Sequence, residues 1–364
     1  MTEYKVKMYE PLLKEMNAKL WDLAEIRFEE KQSSALMLDC LKDHGFQTEA
    51  GIGGLPTAYR ASYGSGRPVI GLLAEYDALD GLSQQADETE YRPRPETTHG
   101  HGCGHHLLGT GIIGAALALS DYLKEHPGKG TVIVYGCPAE EGGSGKTYMA
   151  RAGVFDGLDI ALTWHPSTMN ASMTGSLLAN CQAYFRFHGK SSHAGAAPQK
   201  GRSALDALEL MNVGVNYLRE HMEMTDRIHY AITNTGGVSP NVVQAEAEAL
   251  YLVRSRDNDS AAELFRRVCN IAKGAALMTG TAVEIEFDKA CSNVVPSDTL
   301  GQLLYDTMKE IGVPEYTKEE QDYIQKFRRV IGDEAADHDM GMLPEFDLEI
   351  RVEFCTNHPM RGLL

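Results

Sequence analysis

The sequence predicts an α/β protein: one domain with a largely parallel α/β sheet, interrupted by a compact ferredoxin-like α+β insert. Three observations predict it. Between residues 68 and 163, apolar runs that suit buried strands alternate with helical patterns, the strand–helix–strand order of a parallel sheet. From residue 183 to 287 the order becomes β-α-β-β-α-β, that of a ferredoxin-like unit. After Pro296 a helical pattern resumes. With 364 residues, 43% of them hydrophobic, the chain has material for about two domains.

The elements follow in order. Leu12, Leu13, Met16, Leu20, Leu23 and Ile26 share one face of a helix expected over Pro11 to Glu29. A second helix is expected from an N-cap at Ser33–Ser34 to a stop at Gly45. Pro68 to Glu75 reads as a buried strand, with Glu75, Asp77 and Asp80 at and beyond its end, where open α/β sheets place their sites. A proline-bearing loop leads to a helix over Leu107 to Leu123, a strand over Thr131 to Tyr135, a short helix over Lys146 to Ala152 and a strand over Asp159 to Thr163. The insert predicts strands at Ala183–Gly189, Ile228–Thr233, Ala247–Ser255 and Ala282–Phe287, with helices at Ser203–Glu220 and Ala261–Met278. A last helix is expected over Leu300 to Ile311.

Composition narrows the partners. Aspartate and glutamate number 51 against 34 lysines and arginines, a net charge of -17, which argues against nucleic acid or an anionic membrane surface as the main partner. No 18-residue apolar run is read, and Met1 to Glu10 lacks the apolar core of a signal peptide. Seven cysteines without paired spacing suit a reducing, cytoplasmic setting better than a disulfide framework.

The chemistry gathers around His99-Gly-His-Gly-Cys-Gly-His-His106, four histidines and a cysteine in eight residues. Imidazole and thiolate are common metal ligands, and glycine lets backbone crowd close to an ion; a flexible histidine-rich loop would have the same letters. Glu140–Glu141 and His165 each follow a predicted strand, so their loops share one crevice with Cys103 and His105 if the sheet forms as expected. A Cys, two His and a Glu can hold a divalent ion, and a second glutamate can serve as general base. Two lookalikes fail on context. Gly145-Lys-Thr147 ends like a phosphate loop, but Glu140 stands where that motif needs glycine. Gly109-Thr-Gly111-Ile-Ile-Gly114 has the letters of a dinucleotide fingerprint but follows the histidine loop, so close helix packing is the expected use of its glycines.

Taken together, Gly100-His-Gly-Cys-Gly-His-His106, Pro138-Ala-Glu-Glu-Gly-Gly143 and Thr163-Trp-His-Pro166 resemble the metal-dependent amidohydrolase and metallopeptidase family of clan MH. Its members include aminoacylase, glutamate carboxypeptidase and auxin-conjugate hydrolases. Gly189-Lys-Ser-Ser-His193-Ala-Gly-Ala-Ala-Pro198 and Gly236-Gly-Val-Ser-Pro-Asn241 are similar to that family's lid motifs, and the match runs from about Gly71 to Pro296. The resemblance implies a catalytic domain over 1–176 and 291–364 and a lid or dimerisation domain over 177–290. It implies two divalent metal ions, zinc or manganese, held by Cys103 as a bridging thiolate with His105, Glu141 and His165. Glu140 would be the general base toward a metal-activated water. His193, from the lid of a partner subunit, would stabilise the oxyanion, with Asn241 holding substrate. Asp77 would orient a ligand; His99, His101 and His106 match no ligand position.

The implied activity is hydrolysis of the amide bond of an N-acyl or N-aroyl amino acid, aminobenzoyl-glutamate-like or dipeptide-like. The implied assembly is a homodimer, or a heterodimer with a paralogous chain. The family also supplies a last histidine ligand near its C-terminus. The surroundings of His358 do not match it, so the expectation is a chain lacking the C-terminal part of the catalytic domain. The competing reading is therefore an inactive paralogue that serves as a dimerising partner.

Overall fold

The computed structural model describes residues 6–167, 170–172, 175–312 and 315–331. The chain divides into two units, one running to Ser172 and resuming at Thr299, the other within Met173–Asp298.

In the first unit, β1 (Gln47–Ala50), β2 (Tyr59–Ser65), β3 (Val69–Ala74), β4 (Gly130–Gly136) and β5 (Ile160–Leu162) form a sheet in the order β1-β2-β4-β3-β5. β3 runs parallel to both β4 and β5, whereas β2 is antiparallel to β1 and β4. The sheet is thus mixed, with its parallel half on the side that carries the candidate ligands. Alternation along β4 explains the layers. Val132 and Val134 face a core built with Leu72, Ala74 and the helices α1 (Glu10–Leu23), α2 (Lys31–Asp43) and α3 (His105–Glu125). Tyr135 and Ile133 face the opposite layer, where Met149 of α4 (Gly145–Arg151) packs with Ile52, Ala58 and Cys137.

Two local readings are corrected. α1 stops at Leu23, not near Glu29, because Ala24 takes a left-handed conformation and caps the helix on Leu20 O. α2 begins at Lys31, and its first turn is capped by the Glu25 carboxylate, which accepts from the N–H groups of Gln32 and Ser33. Ser33 and Ser34 lie inside the helix, buried. α3 is long and apolar, and most of it is buried inside the protein as a core helix. Its glycines serve close packing, as expected: a Cβ on Gly109 would lie 2.6 Å from Glu75 O, and one on Gly114 would lie 2.8 Å from Leu13.

The second unit is β6 (Ala179–His188), α5 (Ala204–Leu218), β7 (Arg227–Asn234), β8 (Glu246–Ser255), α6 (Asn258–Thr279) and β9 (Ala282–Cys291). Its antiparallel sheet has the order β7-β8-β6-β9, the ferredoxin-like arrangement. Ala183, Phe185 and Phe187 of β6 and Ala249, Tyr251 and Val253 of β8 pack under Leu208, Met211 and Val215 of α5 and Leu264 and Val268 of α6. Ser203 and Asp257 cap those helices through Asp206 N and Ser260 N. α7 (Asp298–Ile311) follows as predicted, and α8 (Lys318–Ile331) adds a helix not anticipated from the pattern. The strand expected beyond Glu345, and His358, lie outside the described residues.

Candidate metal centre

Each parallel strand delivers one loop to the same region. β3 ends at Ala74 and is followed by Glu75, Tyr76 and Asp77; β4 ends at Gly136 and is followed by the Glu140 turn; β5 ends at Leu162, ahead of His165. Two side chains dock the β5 loop. Thr163 Oγ1 donates to Leu73 O and Trp164 Nε1 donates to Leu108 O, both at 3.1 Å. They carry His165 to the N-terminus of α3, where Cys103 and His105 flank Gly104. The Glu140 turn is tight: a Cβ on Gly145 would lie 1.9 Å from Pro138 O, and Gly142 has a φ of +76°, so glycine is required at both.

Cys103 Sγ lies 3.3 Å from His165 Nε2, and the ligand atoms of Cys103, His105 and His165 all fall within 4.8 Å of one another. Those of Glu75, His105 and Glu140 do the same, so His105 belongs to both groups. The other nitrogen of each ring is occupied. His105 Nδ1 sits 2.9 Å from Asp77 Oδ1, and His165 Nδ1 sits 2.8 Å from Pro166 O. With Nδ1–H donating, Nε2 of each histidine is the nitrogen turned toward the cluster, where an ion would take the place of a proton. Lys146 Nζ pairs with Glu75 Oε1 beside it.

The centre favours positive charge. Burial opposes charge on the His105 ring, but Asp77 on Nδ1 and the neighbouring Cys103 and Glu75 side chains outweigh it and hold its pKa up to about 11. His165 is raised chiefly by its contact with Cys103. Glu140 is raised first by desolvation, then by Glu75, the direction that brings a carboxylate toward general-base duty near neutrality. Lys146 stays above its ordinary value because Cys137 and Glu75 outweigh the cost of burial.

Of the residues singled out in the sequence, the structure brings Cys103, His105, His165 and Glu140 together. The Glu141 side chain is in neither group; its backbone N–H donates to Asp77 Oδ2 at 2.8 Å. Asp77 holds the His105 ring, the orienting contact that the resemblance implies. In the sequence Glu75 stands only as a strand-end carboxylate, and Lys146 only in a phosphate-loop lookalike. The signal available was the i, i+2 spacing of Glu75 and Asp77, which aims both side chains one way past a strand end. The remaining histidines of the cluster do other work. His101 Nε2 donates to Leu20 O at 2.9 Å, and the His106 ring lies against Trp21. Burial lowers the two pKa values to about 4 and about 3, so both rings are neutral packing groups. His99 lies 3.5 Å from Asp80.

In the second unit, His193 and Asn241 are neighbours. His193 forms a bridge with Val242, and Ala194 N donates to Asn241 O at 2.9 Å. His193 Nδ1 accepts from Gly195 N and Ala196 N at 3.2 and 3.1 Å.

The donors suit a divalent metal. His105 Nε2 is fully buried with no well-directed hydrogen bond among the described residues, although Glu75 Oε2 lies 3.2 Å away. An orphaned imidazole nitrogen among a thiol, a second imidazole and carboxylates is a donor set that fits a divalent ion.

Comparison with known proteins agrees. The chain is 48% identical over 312 residues to the B-type component of p-aminobenzoyl-glutamate hydrolase from Escherichia coli, covering 86% of this chain and 65% of that protein. It is 30% identical to human Xaa-Arg dipeptidase, covering 81% of this chain and 67% of that protein. The chain therefore spans about two thirds of the length of these relatives. Its fold matches the aminobenzoyl-glutamate utilization protein of Klebsiella pneumoniae at a TM-score of 0.64 and 18% identity, covering 91% of each chain. It also matches a dinuclear metal binding peptidase of Bacillus subtilis at 0.61 and 22% identity, covering 84% of this chain and 81% of that one. Residues 71–339 match the pattern of peptidase family M20/M25/M40, and the chain belongs to that family.

Proposed function

We propose that this chain is a metal-dependent hydrolase of the amide bond in an N-acyl or N-aroyl amino acid, aminobenzoyl-glutamate-like or dipeptide-like. The convergence of Cys103, His105 and His165 beside Glu140 carries the proposal. In this reading Cys103, His105 and His165 hold two divalent ions, zinc or manganese, and Glu141 offers a further carboxylate from the Glu140 turn. Ions bound there would polarise the amide carbonyl and acidify water.

Glu140 takes the proton of the attacking water as the C–O bond forms, then delivers it to the leaving nitrogen as the C–N bond breaks. Its raised pKa supports both halves of that duty. Asp77 keeps the His105 ring oriented. Because His193 Nδ1 accepts two backbone N–H groups, its neutral ring carries the proton on Nε2, a donor suited to the carbonyl oxygen as negative charge develops. We assign that role to a His193 supplied by the lid of a second chain, with Asn241 holding substrate. The unit-two fold supports the lid and dimerisation role. Similarity to both the B-type and the A-type components of one Escherichia coli hydrolase supports pairing with a paralogue. Seven cysteines without paired spacing support a cytoplasmic setting.

The test joins metal analysis to turnover of aminobenzoyl-glutamate. About two ions per chain, loss of turnover with a chelator, and restoration by zinc or manganese are expected of a dinuclear site. Glu140→Ala should keep the metal and lose about 100-fold or more in kcat. Protein prepared under reducing, metal-replete conditions that binds no metal would end this reading.

A further inference from the structure

We propose that Glu30 is a positioning residue for Glu140, whose buried carboxylate holds the left-handed turn at Ala139 from which Glu140 projects. The proposal rests on Glu140 being the general base. Glu30 is fully buried, and a buried carboxylate needs strong partners to be tolerated. Oε1 accepts from Ala139 N at 2.8 Å and from Phe28 N at 2.9 Å, and Oε2 accepts from Thr57 Oγ1 at 3.0 Å.

Both backbone donors on Oε1 are strained. Ala139 has a φ of +56° and Phe28 a φ of +64°, a region that a side-chain-bearing residue occupies only when its surroundings hold it there. One charged oxygen therefore fixes two such residues from distant parts of the chain, and charge-assisted hydrogen bonds are the strong kind. Ala139 directly precedes Glu140, so its φ and ψ set the direction in which the Glu140 side chain leaves the turn.

The same network reaches the other loop of the centre. Thr57 O accepts from Tyr76 Oη at 2.6 Å and Ser34 Oγ at 2.8 Å, and Tyr76 stands between Glu75 and Asp77. Glu30 thus joins the β3 loop to the β4 turn without touching a candidate ligand. Among the described residues it makes no ion pair, so its charge is spent on these donors.

Three variants test the assignment: Glu30→Ala, Glu30→Asp, which keeps the charge on a shorter stem, and Glu30→Gln, whose amide oxygen can still accept both N–H groups. Crystal structures, bound metal, and kcat and KM on aminobenzoyl-glutamate are measured for each and for wild type. In Glu30→Ala, Ala139 should leave the left-handed region, and kcat per folded, metal-loaded chain should fall about 10- to 100-fold with KM and metal content within about twofold, the signature of a misplaced catalytic group. Glu30→Gln should recover kcat to within about threefold of wild type. Should Glu30→Ala not fold, Glu30→Asp decides by the same two readouts. Ala139 keeping its present φ in the variant, or an unchanged kcat, overturns the proposal. A wild-type chain that hydrolyses nothing would defeat the amidohydrolase reading instead, and the φ of Ala139 alone would then decide the role of Glu30.

Discussion

Asp77 Oδ1 holds His105 Nδ1 at 2.9 Å while its second oxygen accepts the Glu141 N–H at 2.8 Å. A single buried carboxylate therefore ties the N-terminus of α3 to the turn after β4, and leaves His105 Nε2 as the ring atom that can bind an ion. Asp77→Ala should weaken metal binding about 10- to 100-fold, the usual cost of losing the group that orients a ligand. Competition with a chromophoric chelator measures it. Unchanged affinity would show that His105 is oriented without Asp77.

Lys146 pairs with a Glu75 carboxylate that is nearly buried, at 8% side-chain exposure. Removing the cation leaves that carboxylate facing Glu140, which it already destabilises in the charged form. The Lys146 side chain is 30% exposed, so Lys146→Met should cost about 1 to 2 kcal/mol in a urea melt, between an exposed pair and a buried one. The double variant with Glu75→Gln should recover most of it. A single variant as stable as wild type would mean the pair is effectively solvated.

Glu30 makes a prediction in pH. Burial raises its pKa in the fold above the ordinary 4.5, against the pull of its hydrogen bonds. Between those two values the unfolded chain has already lost a proton that the folded chain keeps, so the stability this group contributes below pH 4.5 declines as pH rises through the folded pKa. Glu30→Gln does not titrate. The melting temperature of the variant minus that of wild type should therefore grow as pH rises above 4.5, as differential scanning calorimetry can measure. A difference flat in pH would show that Glu30 titrates alike in both states.

Much of the centre was legible before any coordinates. Cys103, His105, Glu140 and His165 carry ligand or base chemistry, and Glu140 and His165 follow predicted strands, whose ends converge by topology in a parallel sheet. The ferredoxin-like unit was readable for a similar reason: its strands alternate cleanly, and Ser203 and Asp257 mark helix starts by their own cap chemistry. The start of α2 was not readable from Ser33, because the cap that forms there comes from Glu25, eight residues upstream of the N–H it accepts.

By itself, then, the sequence determined the two-unit α/β plan and the set of metal-competent side chains, since periodicity and residue chemistry are local properties. Only the tertiary structure decided which of those side chains meet. It set His101 and His106 against Trp21 as packing groups, brought Glu75 and Lys146 into the centre, and gave Glu30 a partner 109 residues away. Burial and long-range hydrogen bonding are decided by how the layers pack, and no spacing along the chain records them.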